Sequence, residues 1–152
     1  MRRDSKLSSV LHVLLHLAYS DRALTSEELA RYLGTNPAVV RRVLGNLREL
    51  GYVDAVKGHG GGWSIACDLN RVTLHDIYRA VGSPSVFAMG NRVEHPTCLV
   101  EQAVNAALDS TFREAEALLN ARLAGITLAD LSADFNQRFA QHRSQGAFAH
   151  EH

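Results

Sequence analysis

Two cysteines, Cys67 and Cys98, are all that the 152 residues contain. That is too few for a disulfide framework or a four-cysteine metal site, so each is read as a free thiol. Long apolar runs are missing as well: none approaches the roughly 20 residues that a bilayer-spanning helix needs. The charged N-terminus leads into apolar residues at helical spacing, not the unbroken apolar stretch of a signal peptide, so the expected compartment is the cytoplasm with no membrane partner. No nucleophile–base pair, paired carboxylates or cofactor loop stands at a meaningful spacing, so no catalytic residue is assigned and no enzyme is expected. What remains, with 46% apolar and 21% charged residues, is an ordinary folded chain, long enough for one domain with a core plus an extension.

The most informative stretch runs from Thr25 to Ala66. Thr25 followed by Glu28 is a capping box, in which hydroxyl and carboxylate each satisfy an orphan amide at a helix start. Leu29, Ala30 and Leu33 form the buried side of that helix, and Gly34 ends it. Asn36 caps a second helix with Pro37 at its first position, where a missing N–H costs nothing. Val40, Val43, Leu44, Leu47 and Leu50 fall on one face of this second helix, while Arg41, Gly45 and Arg48 lie on another with Arg42 beside them. Val53 to Val56 and Trp63 to Ala66 read as strands joined by the tip Lys57-Gly-His-Gly-Gly-Gly62. A phosphate-binding loop would continue into Lys-Ser or Lys-Thr and a helix; here Trp63 and a strand follow. Helix, turn, helix, strand, basic glycine tip and strand make a winged helix-turn-helix, whose second helix suits a DNA major groove.

Charge agrees through its distribution rather than its total. The chain has 16 Lys/Arg against 16 Asp/Glu, yet residues 1–63 hold nine against six (+3) and residues 98–152 hold four against seven (−3). A basic head with an acidic tail suits a DNA module joined to a part with another task.

Before this unit, about Ser5 to Tyr19 reads as an amphipathic helix with Val10, Leu11, Leu14, Leu15, Leu17 and Ala18 apolar. His12 and His16 stand one turn apart on it, but no acidic third ligand is near, so no metal site is assigned. After the unit, Thr73 caps a helix to Val81 with Asp76 at the capping-box position. Residues 83–96 have little periodicity and read as a loop. Thr97 then caps a helix from Cys98 to about Ala124, with Val104, Leu108, Phe112, Ala115, Leu119 and Leu123 in one stripe about 39 Å long. The stripe exceeds what the head can cover, so it is expected to pack on the same helix of a second chain. Gly125 ends it, and a short helix from Thr127 is expected to clasp the partner, with a frayed tail beyond Phe139. The expected organisation is a DNA-binding domain over 1–82, a sensor or linker loop over 83–97, a dimerisation helix and clasp over 98–135, and a flexible tail over 136–152.

With Thr97 as the cap, Cys98 takes the first helical position, where the helix dipole stabilises a thiolate. His95, three residues away, can add to that reactivity. The bland alternative is a small buried hydrophobe.

These residues resemble the Rrf-two family of bacterial winged-helix regulators, the group that includes IscR-, NsrR- and CymR-like repressors. The resemblance spans about residues 6–132 and rests on Thr35-Asn-Pro-Ala-Val-Val-Arg-Arg-Val-Leu-Gly-Asn-Leu, Gly58-His-Gly-Gly-Gly, Thr73-Leu-His-Asp-Ile-Tyr-Arg-Ala-Val, His95-Pro-Thr-Cys and Ile126-Thr-Leu-Ala-Asp-Leu. It implies a homodimer acting at promoters, with the long helix as its interface. It also implies that Thr35, Asn36, Pro37, Ala38, Arg41 and Arg42 meet the major groove, and that Lys57, His59 and Gly60 approach the minor groove or backbone. Lys57 stands where the family usually has arginine, which implies a looser fit in a narrow minor groove. Cluster-bearing members carry three cysteines around the region of 88–105, where this chain has only Cys98. One thiolate cannot hold a cluster that needs four ligands, so no iron–sulfur cluster or other cofactor is expected.

The fold class expected is therefore mostly α with a small β-hairpin wing, a winged helix-turn-helix domain plus a long dimerisation helix. The expected function is a homodimeric, sequence-specific regulator, more specifically a repressor, of a pseudo-palindromic operator in double-stranded DNA. Cys98, with His95 beside it, or a small effector near residues 83–98 would tune it. The alternative is a metal- or ligand-binding sensor whose winged helix makes protein contacts.

Overall fold

The computed structural model describes residues 5–86 and 89–145. Six helices and one two-stranded sheet follow in the order α1 (Lys6–Tyr19), α2 (Ser26–Leu33), α3 (Pro37–Glu49), β1 (Val53–Val56), β2 (Gly62–Ile65), α4 (Leu74–Ala80), α5 (Leu99–Ala124) and α6 (Leu128–Ser144) among these residues. The expected class, mostly α with a hairpin wing, is the one found.

The helix starts follow from local chemistry. The Thr25 hydroxyl accepts from the Glu28 amide at 3.1 Å, and the Glu28 carboxylate accepts from the Thr25 amide at 2.8 Å. The same reciprocal pair recurs at Thr73/Asp76 and Thr127/Asp130. Each such cap stabilises its helix by about 1 kcal/mol. The Arg22 guanidinium donates to Glu28 from the other side, and with the Thr25 amide it holds that carboxyl at about 2, below its ordinary 4.5. Gly34 ends α2 at φ +64°, the left-handed conformation that glycine takes without a Cβ clash.

The core is shared by α1 to α4 and the root of α6. Val10, Val13, Leu14, Leu17, Leu29, Val40, Leu44, Leu47, Val53, Ile77 and Leu128 are all buried in it. A side chain such as Leu44 contributes roughly 1.5–3 kcal/mol by leaving water. Two expectations about these faces change. Leu50 is the C-cap of α3 and is 55% exposed, because the helix ends there and the chain turns into Gly51 at φ +85°. Val13, absent from the expected stripe of α1, is fully buried, since α1 is covered on a wider arc by α2, α4, β2 and α6.

The C-terminal part departs further from expectation. Helix α6 runs to Ser144, well past Phe139. It does not lie free to clasp a second chain along its whole length. Leu128 is buried in the head's core, the Leu128 amide donates to Val72 and the Leu74 amide to Ile126, and Phe135 packs edge-on against Tyr19 of α1 at 5.0 Å. Residues 146–152 of the expected tail lie outside the described residues.

Candidate nucleic-acid interface

Helix α3 is held on its inner side by Val40, Leu44 and Leu47, each at most 2% exposed. That leaves Ala38, Arg41 and Arg42 exposed, with Thr35 and Asn36 exposed at the helix entry and Pro37 half-buried. Asn36 Oδ1 accepts from the Val39 amide at 3.1 Å, so this side chain is already occupied with the cap. Arg41 and Arg42 leave the helix in different directions. Arg41 donates to Glu27 of α2 at 3.0 Å, whereas Arg42 and Asn46 line a cleft of about 600 Å³ against Lys6 and Ser9 of α1 and Val81 after α4. The Arg41–Glu27 pair is exposed on both sides, so it orients the guanidinium more than it stabilises the fold.

The wing is fixed to the same unit. β1 and β2 are antiparallel with Val53 opposite Ile65 and Val56 opposite Gly62. Leu24 and Trp63 exchange two backbone hydrogen bonds at 2.9 and 2.7 Å, and the Trp63 indole N–H donates to Ser26 Oγ at 3.0 Å. Wing root and α2 start are thus one piece. The glycines make this approach possible: a Cβ on Gly62 would stand 2.4 Å from the Leu24 carbonyl oxygen, and one on Gly61 would stand 2.3 Å from that of Val56. Lys57, His59 and Gly60 occupy the tip and are all exposed.

Away from this surface, Cys98 is exposed, and it is itself the N-cap of α5 rather than the first helical residue. Thr97 therefore does not cap, which corrects the expected start by one position. The helix-start argument survives the shift, because the amides of Glu101 and Val100 hold the Cys98 thiol below its ordinary pKa. That lowering comes from backbone amides, not from His95, which is exposed in the loop. Cys67 differs: it is half-buried beside the core, and burial pushes its thiol up. The loop before Cys98 is strapped along α5 by Asn91 to Asp109 (2.9 Å), Asn105 to the Val93 carbonyl (2.8 Å), Gln102 to the Pro96 carbonyl (3.1 Å) and an Arg92–Glu101 ion pair. On α1, His12 and His16 pair through their ring nitrogens at 3.0 Å, and His16 stacks on Tyr32.

Comparison with known proteins settles the family. The model of the Rrf2 family, described as iron-dependent transcriptional regulators, matches residues 3–134. The chain belongs to the Rrf2 family. YwnA of Bacillus subtilis, an HTH-type transcriptional regulator by name, is 30% identical over 128 residues, which is 84% of this chain and 95% of that one. A transcriptional regulator from Lactobacillus plantarum, so titled and solved by crystallography, superposes with a TM-score of 0.72 at 27% identity, over 93% of this chain and 98% of that one. CymR, the global cysteine regulator of B. subtilis, shares the fold with a TM-score of 0.65 at 18% identity, over 88% of this chain and 97% of that one. This Rrf2 chain is accordingly a DNA-binding transcriptional regulator with a winged helix-turn-helix head, in a family of regulators rather than of enzymes. No helix among the described residues is long and apolar enough to cross a membrane.

The family's description invokes iron, and the donor side chains among the described residues are not gathered to hold it. Among the described residues no three His, Cys, Asp or Glu side chains converge. Cys98 is the one thiol of its loop, and Cys67 sits half-buried against the core. Sequence reading places Gly45 on the outer face of α3 but does not reach Glu27 and Ser26, which join α2 to α3 and to the wing. The Glu27 and Ser26 contacts span 14 and 37 residues and have no local signal.

Proposed function

We propose that this Rrf2 regulator acts in the cytoplasm as a homodimer that represses transcription from a pseudo-palindromic operator in double-stranded DNA, without an iron–sulfur cluster or other cofactor. Thr35, Asn36, Pro37, Ala38, Arg41 and Arg42 approach the major groove, while Lys57, His59 and Gly60 follow the flanking backbone or minor groove. The observation that carries the DNA part is α3 itself: a rigidly packed inner face and an outer face with two exposed guanidiniums and small residues between them. The dimer part is supported by α5, which has no buried residue. Its Leu99 and Val100 are 77% and 70% exposed, and Val104 and Leu108 continue the open face. Cys98, at the head of that face, is the proposed sensor, responding to oxidants or electrophiles as an exposed low-pKa thiol does. A small effector near the loop is the other input; a cleft of about 540 Å³ between α4 and α5, which includes Ser83 and Ser85, would admit one.

The test is a gel-shift titration against the protein's own promoter at several salt concentrations. Affinity is expected to fall steeply with salt, since phosphate contacts release counterions. Arg41→Ala with Arg42→Ala should weaken binding by about 1–3 kcal/mol per lost base contact and flatten the salt slope. A double variant that binds as the wild type does would remove α3 from the interface.

A further inference from the structure

We propose that Gly45 sets how closely α3 lies against DNA, which makes it a specificity-determining residue of the recognition helix. The inference rests on the DNA-reading assignment above and deepens it.

Ala38 and Gly45 are seven residues apart, close to two helical turns, so they share one line along α3. The sides of that line are fixed by contacts already described. Arg41 reaches one way to Glu27 of α2, and Arg42 and Asn46 reach the other way to the cleft beside α1 and α4. Gly45 therefore lies about one turn beyond Arg41 and Arg42, half-buried, on the line that runs between the directions their side chains take.

The fold gains nothing from a glycine there. The position lies inside a 13-residue helix, where glycine is the poorest former after proline. Its backbone is not in the left-handed region, and a Cβ built on it would meet nothing within 4 Å. This contrasts with Gly61 and Gly62, where an added Cβ would strike backbone atoms at 2.3 and 2.4 Å. Those two glycines are required by the chain's own packing; Gly45 is not. A residue that weakens its helix and relieves no internal contact fits an external body that must come close to the backbone. On the outer face of a groove-entering helix, that body is a base edge or the sugar–phosphate wall. Any side chain at 45 would hold the helix off and lengthen the contacts of Arg41 and Arg42 with the same stroke.

The experiment compares wild type, Gly45→Ala and Gly45→Leu, each as the full chain. A duplex is first selected by the wild type from a random pool. Its affinity for each protein is then measured beside that for an unrelated duplex, and melting temperatures are followed by circular dichroism. Both substitutions introduce better helix formers, so the melting temperature should rise by about 2–4 °C. Affinity for the selected duplex should fall about tenfold with alanine and more with leucine, while low-salt binding to the unrelated duplex is retained through the arginines. Gly45→Ala that melts higher and binds the selected duplex like wild type overturns the inference and leaves the DNA assignment standing. A lower melting temperature shows that the glycine serves the fold and overturns it as well. If the wild type enriches no duplex at all, the DNA assignment itself fails and takes the inference with it.

Discussion

At the scale of single residues, the two thiols are separated by environment rather than by sequence. Cys98 is solvent-exposed at a helix start where the amides of Glu101 and Val100 favour its thiolate, whereas burial disfavours that of Cys67. A lowered thiol pKa means more thiolate at neutral pH, and a raised one means less. Alkylation by iodoacetamide at pH 7 should therefore modify Cys98 well ahead of Cys67, with the rate at Cys98 levelling off at lower pH. Peptide mapping by mass spectrometry after timed quenching reads this directly, and equal rates would contradict it. Cys98→Ser should leave DNA affinity intact and blunt any loss of binding caused by peroxide. An unchanged peroxide response in that variant would retire the thiol as sensor.

At the scale of elements, α5 is the part of the fold left incomplete. Its stripe divides in two. Phe112, Ala115, Leu119 and Leu123 are half-buried, with Leu123 packed on the core, while Val104 and Leu108 are 51% and 37% exposed. The open half is the surface proposed to meet a second copy. Val104→Asp with Leu108→Asp should raise the dimer dissociation constant by about 100-fold, or ~2.8 kcal/mol at 1.4 kcal/mol per decade. Sedimentation velocity at micromolar concentration checks this, with circular dichroism confirming that the helices persist. A wild type that sediments as a monomer would remove the dimer from the account.

Elements also show what a sequence makes legible. Thr25/Glu28 and Thr73/Asp76 were readable because a capping box is closed by residues three apart, and the inner face of α3 was readable because burial repeats with the helical period. The end of that face was not, because Leu50 continues the pattern one step after the helix has stopped. The start of α5 was misplaced by a residue for a related reason: Thr97 has the better capping side chain, yet Cys98 takes the position, while the preceding loop is tied to Glu101, Gln102, Asn105 and Asp109. The length of α6 was hidden because its polar sequence carries weak periodicity. Its aromatic contacts with Tyr19 join residues more than a hundred positions apart. Among the candidate residues, the exposed positions of α3 and of the wing tip are legible by pattern. Glu27 and Ser26 acquire their roles only when α2 meets α3 and the wing.

For the whole molecule, the parts describe a relay. The wing is bolted to α2 through Leu24, Ser26 and Trp63, α2 is bonded to α3 through Glu27 and Arg41, and α5 packs on α4, whose Leu74 and Ile77 enter the same core. In the proposed dimer, a change in how the two α5 helices pack would therefore alter the separation of the two α3 helices. The central claim is that two such helices read DNA together. The most direct test is selection of bound duplexes from a random pool by the purified full chain, followed by sequencing. The account predicts enrichment of two inverted half-sites with centres about 10–10.5 base pairs apart or a multiple of that spacing. Enrichment of a single asymmetric half-site, or of no sequence, would contradict it.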